Sequence, residues 1–148
     1  MFQQLLTSFF ASAGFGILFN APRKLLIQCG ATGMIGWGIY FLFYLYEQNV
    51  VYGTFIAAFF VGIISQVFAR FYKTPILIFT VGGIIPLVPG GLAYDAMRHF
   101  VQNDYNGAVS LAAKVLLLSV AIAIGLVASE VANQLIKKLP DKRPRMSK

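Results

Sequence analysis

The sequence predicts an all-α integral membrane protein: a bundle of about five transmembrane helices, the fourth of which is broken at a Pro/Gly motif. Three observations predict this class. The chain is 58% hydrophobic and only 11% charged, whereas about 25% of the residues in a soluble domain are charged. Its apolar residues form segments of about 20 residues, the length at which a helix crosses a bilayer. One of these segments contains two prolines and four glycines within residues 81–91.

The five predicted spans are separated by short polar or charged links. They cover residues 2–19, 25–46, 50–69, 76–100 and 107–135. The fourth span must continue through the Pro/Gly motif, because residues 76–88 alone are too short to cross a bilayer. Residues 1–136 therefore form the predicted transmembrane domain, and residues 137–148 form a basic cytoplasmic tail.

The basic residues predict the orientation of the spans. Most of them occur in the first and third links and in the tail; the second link has none, and the region before the fifth span has only Arg98 and His99. Because positive charges remain on the cytoplasmic side, we expect the N-terminus outside and the C-terminus inside a multi-pass protein of the cell (inner or plasma) membrane. This clustering at span ends favours membrane orientation, and not nucleic-acid binding, as the reason for the net charge of +7.

Small residues recur at helical spacing on four of the five predicted spans. In lipid, such residues mark the faces through which helices pack closely. The predicted contact residues are Ser8, Ser12 and Gly16 on the first span, Gly30, Gly33 and Gly36 on the second, Ala58 and Gly62 on the third, and Ala121, Gly125 and Ser129 on the fifth. We therefore expect a tightly packed bundle, and contacts with a second copy of the chain are a further use of such faces.

The Pro/Gly motif of the fourth span is the first candidate site. Proline removes a backbone donor and glycine weakens a helix, and lipid cannot satisfy the groups that are freed. Secondary transporters bind substrates at such breaks, and the free N–H groups of a helix that starts near Gly90 and Gly91 attract carboxylates. These two glycines, with Pro86 and Pro89, are candidate substrate-binding residues. The alternative is a simple proline kink, which membrane helices tolerate.

Lys114 is the second candidate for substrate binding. A charge within a span is costly and generally faces the bundle or a cavity. Lys114 shares a helical face with Leu118 and Gly125, so we expect it to point inward, where it would attract a substrate carboxylate or pair with Asp95 or Asp104. The alternative is that Lys114 extends to the outer interface with its stem in lipid.

Two carboxylates are candidates for coupling transport to protons or ions. Glu130 lies near the cytoplasmic end of the fifth span, where it would supply a titratable group; the alternative is an interfacial residue held by nearby lysines or by a subunit contact. Asp95 follows the break, where it would hold a substrate ammonium or relay a proton. Its alternative is a solvated carboxylate paired with Arg98.

The sequence contains no signature of an enzyme, a metal site or a cofactor site. It has no nucleophile elbow, P-loop or zinc-protease motif, and His99 is its single histidine. One histidine without a neighbouring ligand cluster does not make a metal site. The aromatic residues near the second link are interpreted as an interfacial belt and not as a ligand site. They are Trp37, Tyr40, Tyr44, Tyr46 and Tyr52.

Two further motifs resemble those of a known transporter family. Residues 14–23 read GFGILFNAPR, and residues 85–94 read IPLVPGGLAY. In this order they resemble the small subunit, or second domain, of the threonine/serine exporter family of the YjjB type, over roughly residues 2–137. The resemblance implies a larger YjjP-like membrane subunit as partner and the export of threonine and serine, or of succinate in some bacteria. Tyr94, which closes the second motif, joins the candidate substrate-binding residues.

Three functions compete at this point. The favoured one is a small subunit of an exporter of carboxylate-bearing metabolites, either amino acids or dicarboxylates, that works by alternating access with its companion. The second is a structural or regulatory subunit whose companion carries the whole pathway. A membrane-embedded enzyme is least favoured, because the sequence shows no nucleophile–base pair and no set of metal ligands.

Overall fold

The computed structural model describes residues 2–47 and 49–138, which form six α-helices and two short 3₁₀ turns. The helices are α1 (Phe2–Leu18), α2 (Leu26–Glu47), α3 (Val50–Tyr72), α4 (Leu77–Ile84), α5 (Gly90–Val101) and α6 (Tyr105–Lys138). One 3₁₀ turn, Arg23–Leu25, precedes α2, and the other, Ile85–Leu87, follows α4. No strand occurs among the described residues, as the all-α prediction requires. Residues 139–148, most of the predicted basic tail, lie outside the described residues.

Two of the links end their helices with left-handed residues. Asn20 and Lys73 have φ angles of 56° and 52°. The N–H of Lys73 donates to the Ala69 carbonyl, and the N–H of Ala21 donates to the Gly16 carbonyl over 2.9 Å. Bonds of this kind satisfy carbonyls that a helix C-terminus leaves free. The first and third links are therefore compact turns that carry the basic residues, as the sequence predicts.

The order of contacts along each pair of helices gives their directions. α1 and α2 are antiparallel, and so are α2 and α3. α4 runs parallel to α2, because Gly82 lies near Cys29 and Leu87 lies near Gly36. α6 runs parallel to α3, and α5 packs against α6 as an antiparallel hairpin. Helix α2 therefore lies between α1, α3 and α4, and α6 packs on the outer side of α3.

The helices approach one another closely at the small residues. Close pairs include Ser12 with Gly33, Gly36 with Val61, Gly83 with Thr32, Gly62 with Ser129 and Gly125 with Ala58. A Cβ atom on any of these glycines would lie 3.0 Å or less from its neighbour. The predicted contact faces are thus confirmed as contacts within the chain, where close packing supplies the dispersion attraction that holds helices together in lipid.

The helices support a multi-pass membrane protein. α2, α3 and α6 are long and apolar enough to cross a membrane, and α4 with α5 makes a fourth span if the bent pair is counted as one. α1 is a shorter apolar helix of 17 residues. Helix α6, with 34 residues, is about 50 Å long and exceeds the roughly 30 Å of the hydrocarbon core. The count of five spans stays a prediction.

Candidate substrate site at the helix break

The chain leaves the helical conformation between α4 and α5. After the second 3₁₀ turn, Val88 is extended, with φ of −65° and ψ of 128°. Pro89 comes next and directly precedes α5. Neither Pro86 nor Pro89 has an N–H that could continue a helical ladder. The two helical pieces meet at a bend of 51°, so the helix stops at the residues that carry the two prolines.

The first turn of α5 contains backbone donors that no side chain caps. The first N–H groups of a helix have no partner within it, and no described side chain caps this helix. The Gly90 N–H donates to the Val88 carbonyl over 2.8 Å. Gly90 and Gly91 are exposed, and a Cβ on either would meet no atom within 4 Å apart from the adjacent residues and the helix backbone. The positive end of the α5 dipole lies beside this open space.

A cavity of about 220 Å³ lies beside this helix start, and we call it the break cavity. It is lined by three of the predicted residues, Pro86, Pro89 and Gly91, and by residues of α2, α3 and α6. At about 30 Å³ per water molecule, it has room for on the order of seven waters. That is close to the number of heavy atoms in a small amino acid or a short dicarboxylate.

Lys114 lines a second cavity, of about 380 Å³, which adjoins the first. Both cavities share Val50, Leu92 and Leu118 as lining residues. Lys114 is exposed although Leu118, one turn along the same face, is buried. The reason is that α3 begins at Val50, which lies near Leu118. The part of α6 that precedes Leu118, including Lys114, therefore has no α3 residue beside it. Lys114 thus does not point into the bundle as expected, and its face of α6 is buried only from Leu118 onward.

The expected ion pairs of Lys114 and Asp95 are not formed. Within the described part of the chain the single ion pair joins His99 to Asp104, with 2.8 Å between Nδ1 and Oδ2. Lys114 is therefore paired with neither Asp95 nor Asp104, and Asp95 is not paired with Arg98. The positive charge of Lys114 remains available to a molecule in its cavity.

The remaining predicted residues lie outside the two cavities. Asp95 is partly buried on α5, and Tyr94 beside it is 69% exposed. Glu130 is exposed near the far end of α6. In that region Arg70 donates a hydrogen bond to Asn133, and Gln66 Nε2 donates to the Ser129 carbonyl over 3.2 Å. These bonds join α3 to α6 and do not involve Glu130. The structure thus separates the coupling candidate Glu130 from the break.

Part of the predicted aromatic belt belongs to the candidate site instead. Trp37 and Tyr40 line the break cavity together with Thr54, which corrects the interpretation of these two aromatics. The exposed residues Tyr44, Tyr46 and Tyr52 still fit a belt. A signal was present in the sequence, because Trp37 lies ten residues before the end of α2 at Glu47. That distance is about 15 Å along a helix, too deep for an interfacial anchor.

The turn between α5 and α6 is held by Asp104. Its Oδ1 accepts a hydrogen bond from the Gly107 N–H over 3.1 Å, and its Oδ2 contacts the His99 ring. The Gly107 N–H and then the His99 ring lower the pKa of the Asp104 carboxyl below its ordinary value. His99, the single histidine of the sequence, thus contacts the residue that caps α6. In residues 2–47 and 49–138, no group of three or more metal-ligating side chains occurs.

Helices long and apolar enough to cross a membrane, with a cavity beside the junction of α4 and α5, are typical of membrane transport proteins. The comparison with protein families agrees with this class: the family model described as "Threonine/Serine exporter, ThrE" matches residues 4–132. The chain belongs to the threonine/serine exporter family, which confirms the resemblance found in its two motifs. No solved structure matches the chain.

Proposed function

We propose that this chain is the small membrane subunit of an exporter of threonine, serine or a similar carboxylate-bearing metabolite, and that it works by alternating access with a larger YjjP-like subunit. The observation that carries this proposal is the break cavity, which brings the uncapped start of α5 together with Pro86, Pro89 and Gly91. Membership of the exporter family supports transport as the activity. A cavity at a broken helix is the usual position of a substrate in secondary transporters.

The charges around the break cavity suit a carboxylate. The start of α5 carries a partial positive charge of roughly half a unit, and Lys114 adds a full charge in the adjoining cavity. No acidic side chain is among the described residues that line either cavity. Gly91 would present its N–H group to the carboxylate, since the N–H of Gly90 already donates to the Val88 carbonyl. Asp95, one turn further along α5, is the candidate acceptor for an amino-acid ammonium, with Tyr94 beside it.

We treat α4 and α5 as one broken span. Helix α4 runs parallel to α2, and α5 runs antiparallel to α6, which itself runs parallel to α3. The two pieces therefore progress in the same direction, and a bend of 51° does not return the chain to the side from which it came. With α1 this gives five spans, an outside N-terminus and a cytoplasmic C-terminus by the positive-inside rule.

Glu130 is the candidate for coupling export to a proton or ion gradient. An exposed carboxylate on a membrane helix is costly in lipid, so its exposure is explained if a partner subunit or the aqueous interface covers it. This argument also supports the larger companion as the partner. The alternative is a structural subunit whose companion carries the whole pathway. The small-residue faces that would serve such a subunit as partner contacts are packed against other helices of this chain.

Counterflow in proteoliposomes tests the proposal. This chain is reconstituted alone and with its companion, and uptake of labelled threonine and labelled succinate is measured in parallel. We expect threonine uptake only when both chains are present. Succinate uptake would shift the substrate to dicarboxylates, and uptake by this chain alone would exclude an obligate pair. Unchanged activity per companion molecule without this chain, together with a lower amount of companion, would favour the structural subunit.

A further inference from the structure

Trp37 has a buried hydrogen-bond donor for which the described residues supply no acceptor. The indole Nε1 has less than 1 Å² of accessible surface and no partner within the described part of the chain. A buried N–H without an acceptor destabilises the conformation that contains it. Trp37 lies about 15 Å from the end of α2, well inside the predicted span of residues 25–46, so we do not expect the bilayer interface to supply the acceptor.

Trp37 also separates two cavities. With Pro86, it lines both the break cavity and a cavity of about 210 Å³ beside α1, which we call the α1 cavity. The α1 cavity has polar lining residues, among them Gln4 and Thr7. The indole packs on Tyr40, whose ring centroid is 5.2 Å away. Trp37 and Pro86 therefore form the wall between the two spaces.

The backbone around Trp37 is fixed, so a movement of this wall has to come from the side chain. Gly36 packs against Val61 so closely that a Cβ would lie 2.6 Å from a valine methyl group. On the other side of Trp37, Gly38 is near Leu5, at 3.6 Å from the position of a Cβ. Since Nε1 has almost no accessible surface, a molecule in either cavity reaches it only after the ring turns. The same rotation would open the wall.

We infer that Trp37 is a substrate-binding residue of the transport cycle: its ring is the movable wall between the break cavity and the α1 cavity, and its N–H donates to the substrate carboxylate once the ring turns toward the break. The inference rests on the proposed function and deepens it. No acidic side chain among the described residues lines the break cavity, so a substrate carboxylate would be the anionic acceptor that the turned ring meets there. Donors from Trp37 and from the start of α5 then hold the same carboxylate.

Replacement of Trp37 by phenylalanine tests the donor, because an aromatic ring stays in the wall while the N–H is lost together with the pyrrole part of the indole. The readout is threonine counterflow by the complete assembly of this chain and its companion. We expect KM to rise about tenfold, the usual effect of one hydrogen bond to a charged group, with kcat changed much less. Thr80→Val is the matched control, because it removes another buried polar atom that lacks a partner among the described residues and that lies outside the cavities. Its KM should stay at the wild-type value.

The fluorescence of Trp37 gives an independent readout, since it is the one tryptophan of the chain. Emission is recorded while threonine is added, with threoninol, which lacks the carboxylate, as the comparison probe. Subtracting the emission of the Trp37→Phe assembly isolates the Trp37 signal when the companion contributes tryptophans of its own. We expect a shift that saturates with threonine near the transport KM and no shift with threoninol.

Each outcome decides between the inference and the function on which it rests. If the wild type transports threonine but Trp37→Phe leaves KM unchanged and the emission does not respond, the inference is wrong and the proposed function stands. If the wild type transports none of threonine, serine and succinate, both are overturned. If Trp37→Phe fails to fold, the emission of the wild-type chain decides: a response to threonine alone supports the inference, and no response, or an equal response to threoninol, overturns it.

Discussion

The two glycine pairs of the Pro/Gly motif have opposite surroundings. On the α4 side, a Cβ on Gly83 would lie 2.7 Å from both Thr32 Cγ2 and Val61 Cγ1. On the α5 side, no atom of the described residues lies within 4 Å of a Cβ on Gly90 or Gly91. The same residue type thus allows close packing before the break and leaves open space after it. One half of the motif fixes the bundle, and the other half forms the candidate site.

This contrast indicates which half of the motif moves during transport. Packed cores have discrete arrangements and resist continuous deformation. Helix α4 is held between α1, α2 and α3, whereas α5 packs mainly against α6. We therefore expect α5 to change position around the break while α4 stays in place. The four predictions below test this comparison, beginning with the largest effect.

Gly83→Leu should prevent folding. The added side chain meets two β-branched neighbours, Thr32 and Val61, whose restricted rotamers give them little room to turn away. We expect a destabilisation of at least about 3 kcal/mol, seen as loss of monodisperse protein in size-exclusion chromatography and as a lower Tm.

The matched control for Gly83→Leu is Gly90→Leu in the same motif. Since Gly90 has no described neighbour within 4 Å of the new Cβ, its Tm should change little, by the equivalent of about 0.5 kcal/mol or less. Equal losses at both positions would show that the contrast between the two halves is wrong.

Gly91→Leu should abolish transport without unfolding the protein. The side chain would extend into the break cavity, which Gly91 lines, and would occupy the space in front of the free N–H groups of α5. We expect threonine counterflow to fall more than tenfold, because the lost donors contact a charged group, while the Tm stays near the wild-type value.

Gly14→Leu is the control for this transport experiment. Gly14 also has no described atom within 4 Å of an added Cβ, and it does not line the break cavity. Its transport rate should therefore be unchanged. A Gly91→Leu protein that is correctly assembled and transports at the wild-type rate would falsify the placement of the site.

Lys114→Met should weaken substrate binding to a smaller extent. The substitution keeps the length of the side chain and removes the charge from the cavity that adjoins the break. Because Lys114 is exposed, its attraction is screened, and we expect KM to rise about three- to fivefold. Lys114→Arg, which keeps the charge, should stay close to the wild type. If Lys114 only extends to the membrane interface, both variants will have the wild-type KM.

Asp104→Ala should have the smallest effect, and it should depend on pH. The Gly107 N–H and the His99 ring lower the pKa of Asp104 from 3.8, so its ionised form is favoured in the folded protein. The stabilisation is present above that ordinary value and is lost as the pH falls through the lowered native pKa. Thermal unfolding between pH 3 and 6 should show a Tm difference from wild type that is constant at the upper end and shrinks at the lower end. If the Tm difference between the variant and the wild type stays constant from pH 3 to 6, the effect of the substitution does not come from the charge of the Asp104 carboxylate.

The helices could be predicted closely because their signals are local. The predicted span of residues 50–69 corresponds to α3, Val50–Tyr72, and residues 25–46 correspond to α2, Leu26–Glu47. Apolar length defines a span, and the small residues that repeat along it define its packing face. Both can be read without knowledge of which helices are neighbours.

The candidate site could be predicted only in part. Pro86, Pro89 and Gly91 are adjacent in the chain, and the proline and glycine chemistry that breaks a helix marks them directly. The sequence predicts that Trp37 and Tyr40 belong to an interfacial belt. Their contact with the break could not be predicted, because it depends on how α2 packs beside α4. The helical face that Lys114 shares with Leu118 could be predicted from the sequence. The exposure of Lys114 could not, because it depends on where along α6 the first residues of α3 pack, and that is known only from the folded bundle.

By itself, the sequence determined that this protein is a helical membrane protein of the threonine/serine exporter family, and it predicts a break of the fourth span between Pro86 and Gly91. These properties follow from apolar lengths, from backbone groups that proline removes, and from motifs contiguous in the chain. Only the tertiary structure decided that Gly83 is enclosed while Gly91 faces a cavity, and that Trp37 stands at the wall of that cavity. The physical reason is that free space depends on the atoms that neighbouring helices bring, and those atoms are distant in sequence.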